Sequence, residues 1–197
     1  MSAKDLNAPW IKPLRVEGLY RTEQIPETGE DYEDLNLELG SLESLETRKC
    51  RFFDARIGIQ TAVEWVATES VFRNCLIEAG RVGSLDLTGV ILNVVTFQGI
   101  KAGHASYVNG KLNDVLFQDC HFGSLDLFAV KAKRVKFANC TVDELDLRNF
   151  EADNVDLRGL DFASIRGIQF MRGATISETQ LMLISAELAK GAGIWVE

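Results

Sequence analysis

The sequence predicts an all-β solenoid, a chain wound as a square coil with twenty residues to the turn and one short α-helix at its carboxy terminus. Three observations predict it. Apolar residues recur every fifth position from Leu42 to Phe162, 24 of 25 when Tyr107 is counted, with Thr47 the exception. Longer segments return at offsets of 40 and 20: Gly83-Ser84-Leu85-Asp86-Leu87 is identical to Gly123-Ser124-Leu125-Asp126-Leu127, and Asp143-Glu144-Leu145-Asp146-Leu147 is a close third. The residue before each member of the apolar column is charged in 14 of 25 cases.

Neither common periodicity accounts for this. A period of 3.6 smears such a column around a cylinder, and a period of two sends successive members to opposite faces. A period of five nested in twenty gives four short faces per turn. Each face sends inward its central residue and the residue two before it; in that second column only Gln60 and Ser70 are plainly polar. Residues twenty apart become neighbours at the strand spacing of about 4.8 Å. Phe97, Phe117 and Phe137 should therefore stack, as should Phe52 and Phe72. Cys120 and Cys140 fall in the second inward column, where thiols behave as small hydrophobes. Neither a metal site nor a functional disulfide is expected of them.

Composition narrows the function classes. With 197 residues, 46% hydrophobic and 25% charged, the chain has enough apolar surface to fold. No apolar run approaches the ~20 residues of a membrane-spanning helix. The polar start, Met1-Ser2-Ala3-Lys4-Asp5-Leu6-Asn7, lacks the apolar core of a secretory signal, so a cytoplasmic location with reduced thiols is expected. A net charge of −8 suits direct nucleic-acid binding poorly.

The amino-terminal residues 1–39 lack the repeat, hold all three prolines and carry the acidic run Glu30-Asp31-Tyr32-Glu33-Asp34. Leu14, Val16, Leu19 and Tyr20 could pack on the first coil as a partly ordered cap. Residues 40–164 form the repeat. In 165–197 the five-residue pattern ends. Ser177-Glu178-Thr179-Gln180 reads as a capping box that opens a helix over about 178–190. Gly191 is expected just past its end, and Ile194-Trp195-Val196 reads as a short strand or docking tail. An open coil end needs a cap. Leu181, Ile184, Leu188 and Trp195 either seal it or pair with a second copy; a homodimer is expected.

Leu85-Asp86-Leu87, Leu125-Asp126-Leu127, Leu145-Asp146-Leu147, Val155-Asp156-Leu157 and Leu160-Asp161-Phe162 carry a family pattern: small residue, Asp or Asn, Leu or Phe, two free positions. On these motifs, over about 25 pentads, the chain resembles the pentapeptide repeat proteins. The resemblance implies a right-handed quadrilateral parallel β-helix and dimerisation through carboxy-terminal elements. Trp65 and Phe150 depart from it, being bulky where the family is small, and local widening or a bulge is expected there. In architecture the chain is also similar to the quinolone-resistance branch, whose members are thought to imitate duplex DNA and bind DNA gyrase.

Glu46, Asp86, Asp126 and Asp146 fall in one surface column and form the candidate protein-interaction face. Asp126 and Asp146 should be adjacent, with mutual repulsion raising a carboxylate pKa. Such a pair could in principle cleave a glycosidic bond, but a small coil without long loops builds no cleft. His104 and His121 occupy different columns, and no phosphate loop or metal motif is present. No enzyme activity and no cofactor are expected. The leading expectation is a non-catalytic scaffold for a protein partner, and the alternative is a DNA mimic acting on gyrase.

Overall fold

The computed structural model describes residues 8–11 and 13–195. Among these the chain forms fifteen strands. The first six are β1 (Tyr20–Thr22), β2 (Asp31–Glu33), β3 (Leu35–Glu46), β4 (Arg51–Phe53), β5 (Arg56–Val66) and β6 (Val71–Asp86). Then follow β7 (Ile91–Gln98), β8 (Lys101–Ser106), β9 (Lys111–Gln118), β10 (His121–Asp126), β11 (Lys131–Ala138), β12 (Cys140–Asp146), β13 (Glu151–Asp156), β14 (Leu160–Arg166) and β15 (Ala174–Thr175). A short 3-10 turn, Ile168–Phe170, and the helix α1 (Glu178–Gly191) complete it.

All pairings are parallel, and from β3 to β14 each residue pairs with the one twenty later, as in Phe97 with Phe117 and Phe117 with Phe137. The molecule is a parallel β-solenoid of about seven turns. One ladder climbs through β6, β8, β10, β12 and β14, another through β7, β9, β11 and β13. Pairing begins before the repeat: β1 joins residues 35–37 and β2 joins β4.

The interior is the two apolar columns. Along the central column every residue from Thr47 to Phe162 is buried except Ala152. Tyr32, Phe52 and Phe72 stack with centroids 5.2 and 5.1 Å apart, and Phe97, Phe117 and Phe137 with centroids 5.0 and 4.7 Å apart.

The polar exceptions have local causes. The Trp65 indole Nε1 donates to Thr47 Oγ1 at 2.9 Å, so the small threonine makes room for the ring and bonds it. Trp65 pairs with Leu45 and Leu85 in unbroken register, so no bulge interrupts the ladder there. Ser70 Oγ donates to the Thr47 carbonyl and accepts from the Cys50 amide. The thiols of Cys75, Cys120 and Cys140 point at the carbonyl 23 residues earlier, at 3.4, 3.6 and 3.4 Å. Serine and cysteine therefore fill one recurring corner site that offers a carbonyl to a short donor.

The corners need left-handed backbone. One column of them holds Asp34, Asp54, Asn74, Val94, Asp114, Arg134 and Asn154, all with positive φ. Asp and Asn tolerate this region, whereas a β-branched residue is strained there. Val94, at φ 59°, is that residue. Val94→Asn is expected to raise unfolding free energy by about 1–2 kcal/mol, read as a higher urea midpoint at unchanged slope.

The last coil is closed by α1. Ser177 and Gln180 form the expected capping box, with the Gln180 amide donating to Ser177 Oγ at 3.2 Å. Gln180 Nε2 also donates to the carbonyls of Leu157 and Leu160, both at 2.7 Å. One side chain thus starts the helix and satisfies backbone groups at the coil's open end. Gly191 is still helical; the left-handed residue is Gly193. Its amide bonds Lys190 and that of Ile194 bonds Ala189, a Schellman ending.

Candidate protein-interaction surfaces

The strand face built from 41–46, 61–66 and their equivalents up to 161–166 is acidic. It carries nine carboxylates against three cations, Arg81, Lys101 and Arg166. The ladder places Glu46, Val66, Asp86, Ser106, Asp126, Asp146 and Arg166 in one register column, and Asp126 lies directly beside Asp146. The charge is gathered at the two ends of the face, with Glu43, Glu46 and Glu64 at one and Asp143, Glu144 and Asp146 at the other. Between them lies a belt of Arg81, Lys101, His104 and His121.

The aspartates of this column have a local duty. A carboxylate oxygen of Asp86, Asp126 and Asp146 accepts the backbone N–H two residues on, at 2.9, 2.8 and 2.9 Å. Each is an Asx-type turn that holds a corner. Asp146 also grips Arg148 at 2.6 Å, and the Arg148 guanidinium lies 5.7 Å from the Phe128 ring centroid. The bond to Arg148 holds the Asp146 carboxyl below its ordinary range. This is the reverse of the upward shift expected from Asp126: hydrogen bonding and an opposite charge outweigh the neighbouring like charge. An ionised Asp146 is unsuited to act as a general acid.

Beside this column run Ser84, His104, Ser124, Glu144 and Ser164. His104 Nδ1 and Ser124 Oγ share a hydrogen bond of 2.6 Å on the surface, a contact that spacing by twenty could have disclosed. The surrounding depression holds about 230 Å³ and includes both Asp126 and Asp146.

A second feature has no counterpart in the five-residue pattern. In the first three coils one corner is opened. Leu39, Ile59 and Ala79 turn inward, while Gly40, Gln60 and Gly80 are exposed. The strands run straight through. In later coils this corner carries left-handed Gly99, Asp119 and Asn139, followed by buried Ile100, Cys120 and Cys140. Gly80 is required: a Cβ there would lie 2.4 Å from the Gln60 carbonyl oxygen. The step leaves a groove of about 840 Å³ walled by Arg21, Glu23 and Ile25. Arg56 crosses it, bonded to Glu78 at 2.6 Å and to Glu38 and Asn36 at 3.0 Å.

The four helix and tail residues divide. Ile184 is buried at 3% exposure, against the solenoid core. Leu181, Leu188 and Trp195 are exposed, together with Met182, Leu183 and Ile194. Among the described residues no helix is long and apolar enough to cross a membrane, and no cluster of three or more His, Cys, Asp or Glu side chains suits a metal ion.

No family model and no curated protein matches the chain. One solved structure similar to it is that of trypsin-treated QnrB1, described as a plasmid-mediated fluoroquinolone resistance protein. The two are 14% identical with a TM-score of 0.29, over 90% of this chain and 96% of that one.

Proposed function

We propose that this protein is a non-catalytic cytoplasmic scaffold, a rigid β-solenoid rod that presents its acidic strand face to a cationic surface of a protein partner. The uneven distribution of charge carries this reading: nine carboxylates against three cations lie on one face of a rod whose repeat is far closer to neutral. Parallel strands fix the spacing of those side chains, so a partner meets a preorganised pattern and loses little to ordering it. The exposed apolar side of α1 and the tail through Trp195 would join two rods in a homodimer, with Ile184 reserved for the coil end. Two experiments test these parts. A photo-crosslinker at position 163, an exposed alanine of the same face, should capture a partner; Asp143→Lys with Glu144→Lys should lose it, while Lys131→Glu with Lys133→Glu keeps it. Equal capture by both would reject the acidic face. The chain should sediment as a dimer, and Leu181→Glu with Leu188→Glu should give a monomer; a monomeric parent would reject the homodimer.

The same excess of carboxylates favours a second reading, a DNA mimic that binds DNA gyrase and modulates quinolone sensitivity. A duplex carries one charge per ~1.7 Å, or about 18 along a 30 Å rod. The face has a net of −6, and the Arg81–Lys101 belt divides it. A gyrase supercoiling assay separates the readings. A change in activity at micromolar protein supports mimicry, and no change leaves the scaffold.

A further inference from the structure

Among the described residues, the first coil leaves a strand edge without a main-chain hydrogen-bond partner. Residues 41–46 pair with β5 on one side. On the other, the β1 register ends at Thr22 against Leu37, and among the described residues 41–46 take no backbone hydrogen bond from a loop, while Glu23 and Ile25 border the same groove and Pro26 beside them is buried. In later coils the residue at this position donates its N–H backwards, His121 to the Ile100 carbonyl at 2.7 Å and Thr141 to that of Cys120 at 3.0 Å. By the same repeat the Ser41 amide faces outward from the end of the ladder. Leu42 is half-buried, whereas Ala62, Val82, Ala102 and Phe122 beyond it in the column are buried. The groove at the opened corner runs alongside, sharing Leu39, Gly40 and Leu42 with this edge.

An unpaired edge is a template for a further strand, and charge decides which strand it accepts. Glu43 and Glu46 are exposed along it, Glu46 with Arg48 at 3.5 Å, and Glu23 lines the adjoining groove together with Arg21. Two copies of this edge related by a twofold axis would pair antiparallel. A register centred between residues 44 and 45 sets Glu43 against Glu46 of the second copy. Like charges directly opposite destabilise a strand pair. The edge therefore resists its own kind and complements a strand bearing Lys or Arg, with an apolar residue to cover Leu42.

We infer that the Ser41–Glu46 edge is a β-augmentation site for an extended cationic segment of a partner protein. The site is the first strand of the acidic face and shares Glu43 and Glu46 with it; it rests on that reading for its charge and adds the backbone edge, and the 143/144 variant below separates the two. The probe is an octapeptide alternating lysine with valine, added to the full chain and followed by fluorescence anisotropy and amide hydrogen exchange. Binding should slow exchange of the Ser41 and Glu46 amides. A peptide of equal charge with prolines for the valines, which cannot join a ladder, should bind at least about tenfold more weakly. Glu43→Lys with Glu46→Lys should weaken the valine peptide similarly, while Asp143→Lys with Glu144→Lys leaves it unchanged. Equal binding of the proline peptide, or protection confined to residues 121–146, overturns the inference. Concentration-dependent protection of these amides without peptide would show a second copy on the edge and would overturn it as well.

Discussion

Phe117→Ala is expected to lower the unfolding free energy by about 3–5 kcal/mol, the range for deleting a buried aromatic ring. Phe117 is fully buried between Phe97 and Phe137, with Tyr107 and Phe122 meeting it edge-on at 5.7 and 6.3 Å. Its neighbours belong to ladders on either side and are held by backbone pairing, so the site cannot collapse to fill the hole. Urea denaturation followed by far-ultraviolet circular dichroism measures the loss. Phe117→Leu, which retains most of the volume, should cost roughly half as much. A loss below about 1 kcal/mol for the alanine variant would mean that the column is not close-packed.

The second large effect is at Asp114. This carboxylate is 6% exposed and accepts both arms of Arg134, with Nε at 2.6 Å and the partner nitrogen Nη2 on its other oxygen. It also accepts the backbone N–H of Trp10 at 2.9 Å, which fastens the amino-terminal segment to the side of the rod 104 residues along the chain. Asp114→Ala removes these acceptors and leaves Arg134 half-buried without its counter-charge. The expected cost is about 2–3 kcal/mol, below that of a fully buried pair because Arg134 retains some water. Trypsin cleavage after Arg15 should accelerate in the same variant, a readout separate from global stability.

The titration of Asp114 has a definite sign. Its bond to Arg134 lowers the pKa in the folded state. Stabilisation from this pair is therefore complete above the unfolded value of about 3.9 and is lost as pH falls through the folded value. Between neutral pH and about 5 the contribution is flat. Asp114→Asn should remove that acid-side slope, which difference titrations of the two proteins measure.

The coil was legible in the sequence because a period of five cannot be absorbed by a helix or an ordinary strand, and Phe97, Phe117 and Phe137 stack as their spacing requires. The helix start was legible in Ser177 and Gln180, although not the second task of Gln180 at Leu157 and Leu160. The opened corner was not. Its signal lies in Leu39, Ile59 and Ala79, apolar at a position the repeat leaves free, and in Gln60, polar where the repeat asks for an apolar residue. A scheme that reads only the two inward columns records Gln60 as noise. The docking of Trp10 on Asp114 was invisible for another reason: it joins a segment outside the repeat to a residue inside it, and no periodicity links the two. The register of Glu46, Asp86, Asp126 and Asp146 was legible from their spacing, and the turn-holding task of the three aspartates was not. An Asx turn and a solvent-facing charge use the same residue, and only geometry distinguishes them.

Because each residue of the solenoid bonds mainly to its counterparts one turn before and one turn after, length is a free variable of the architecture. Excising a block such as 101–120 would bring His121 onto the strand that carries Arg81, both outward, and Phe122 onto Val82, both inward. Duplication of a block would do the converse. Genetic slippage by sixty nucleotides could thus shorten or extend this molecule like a measuring stick, moving its two termini apart in fixed increments while the cross-section stays the same.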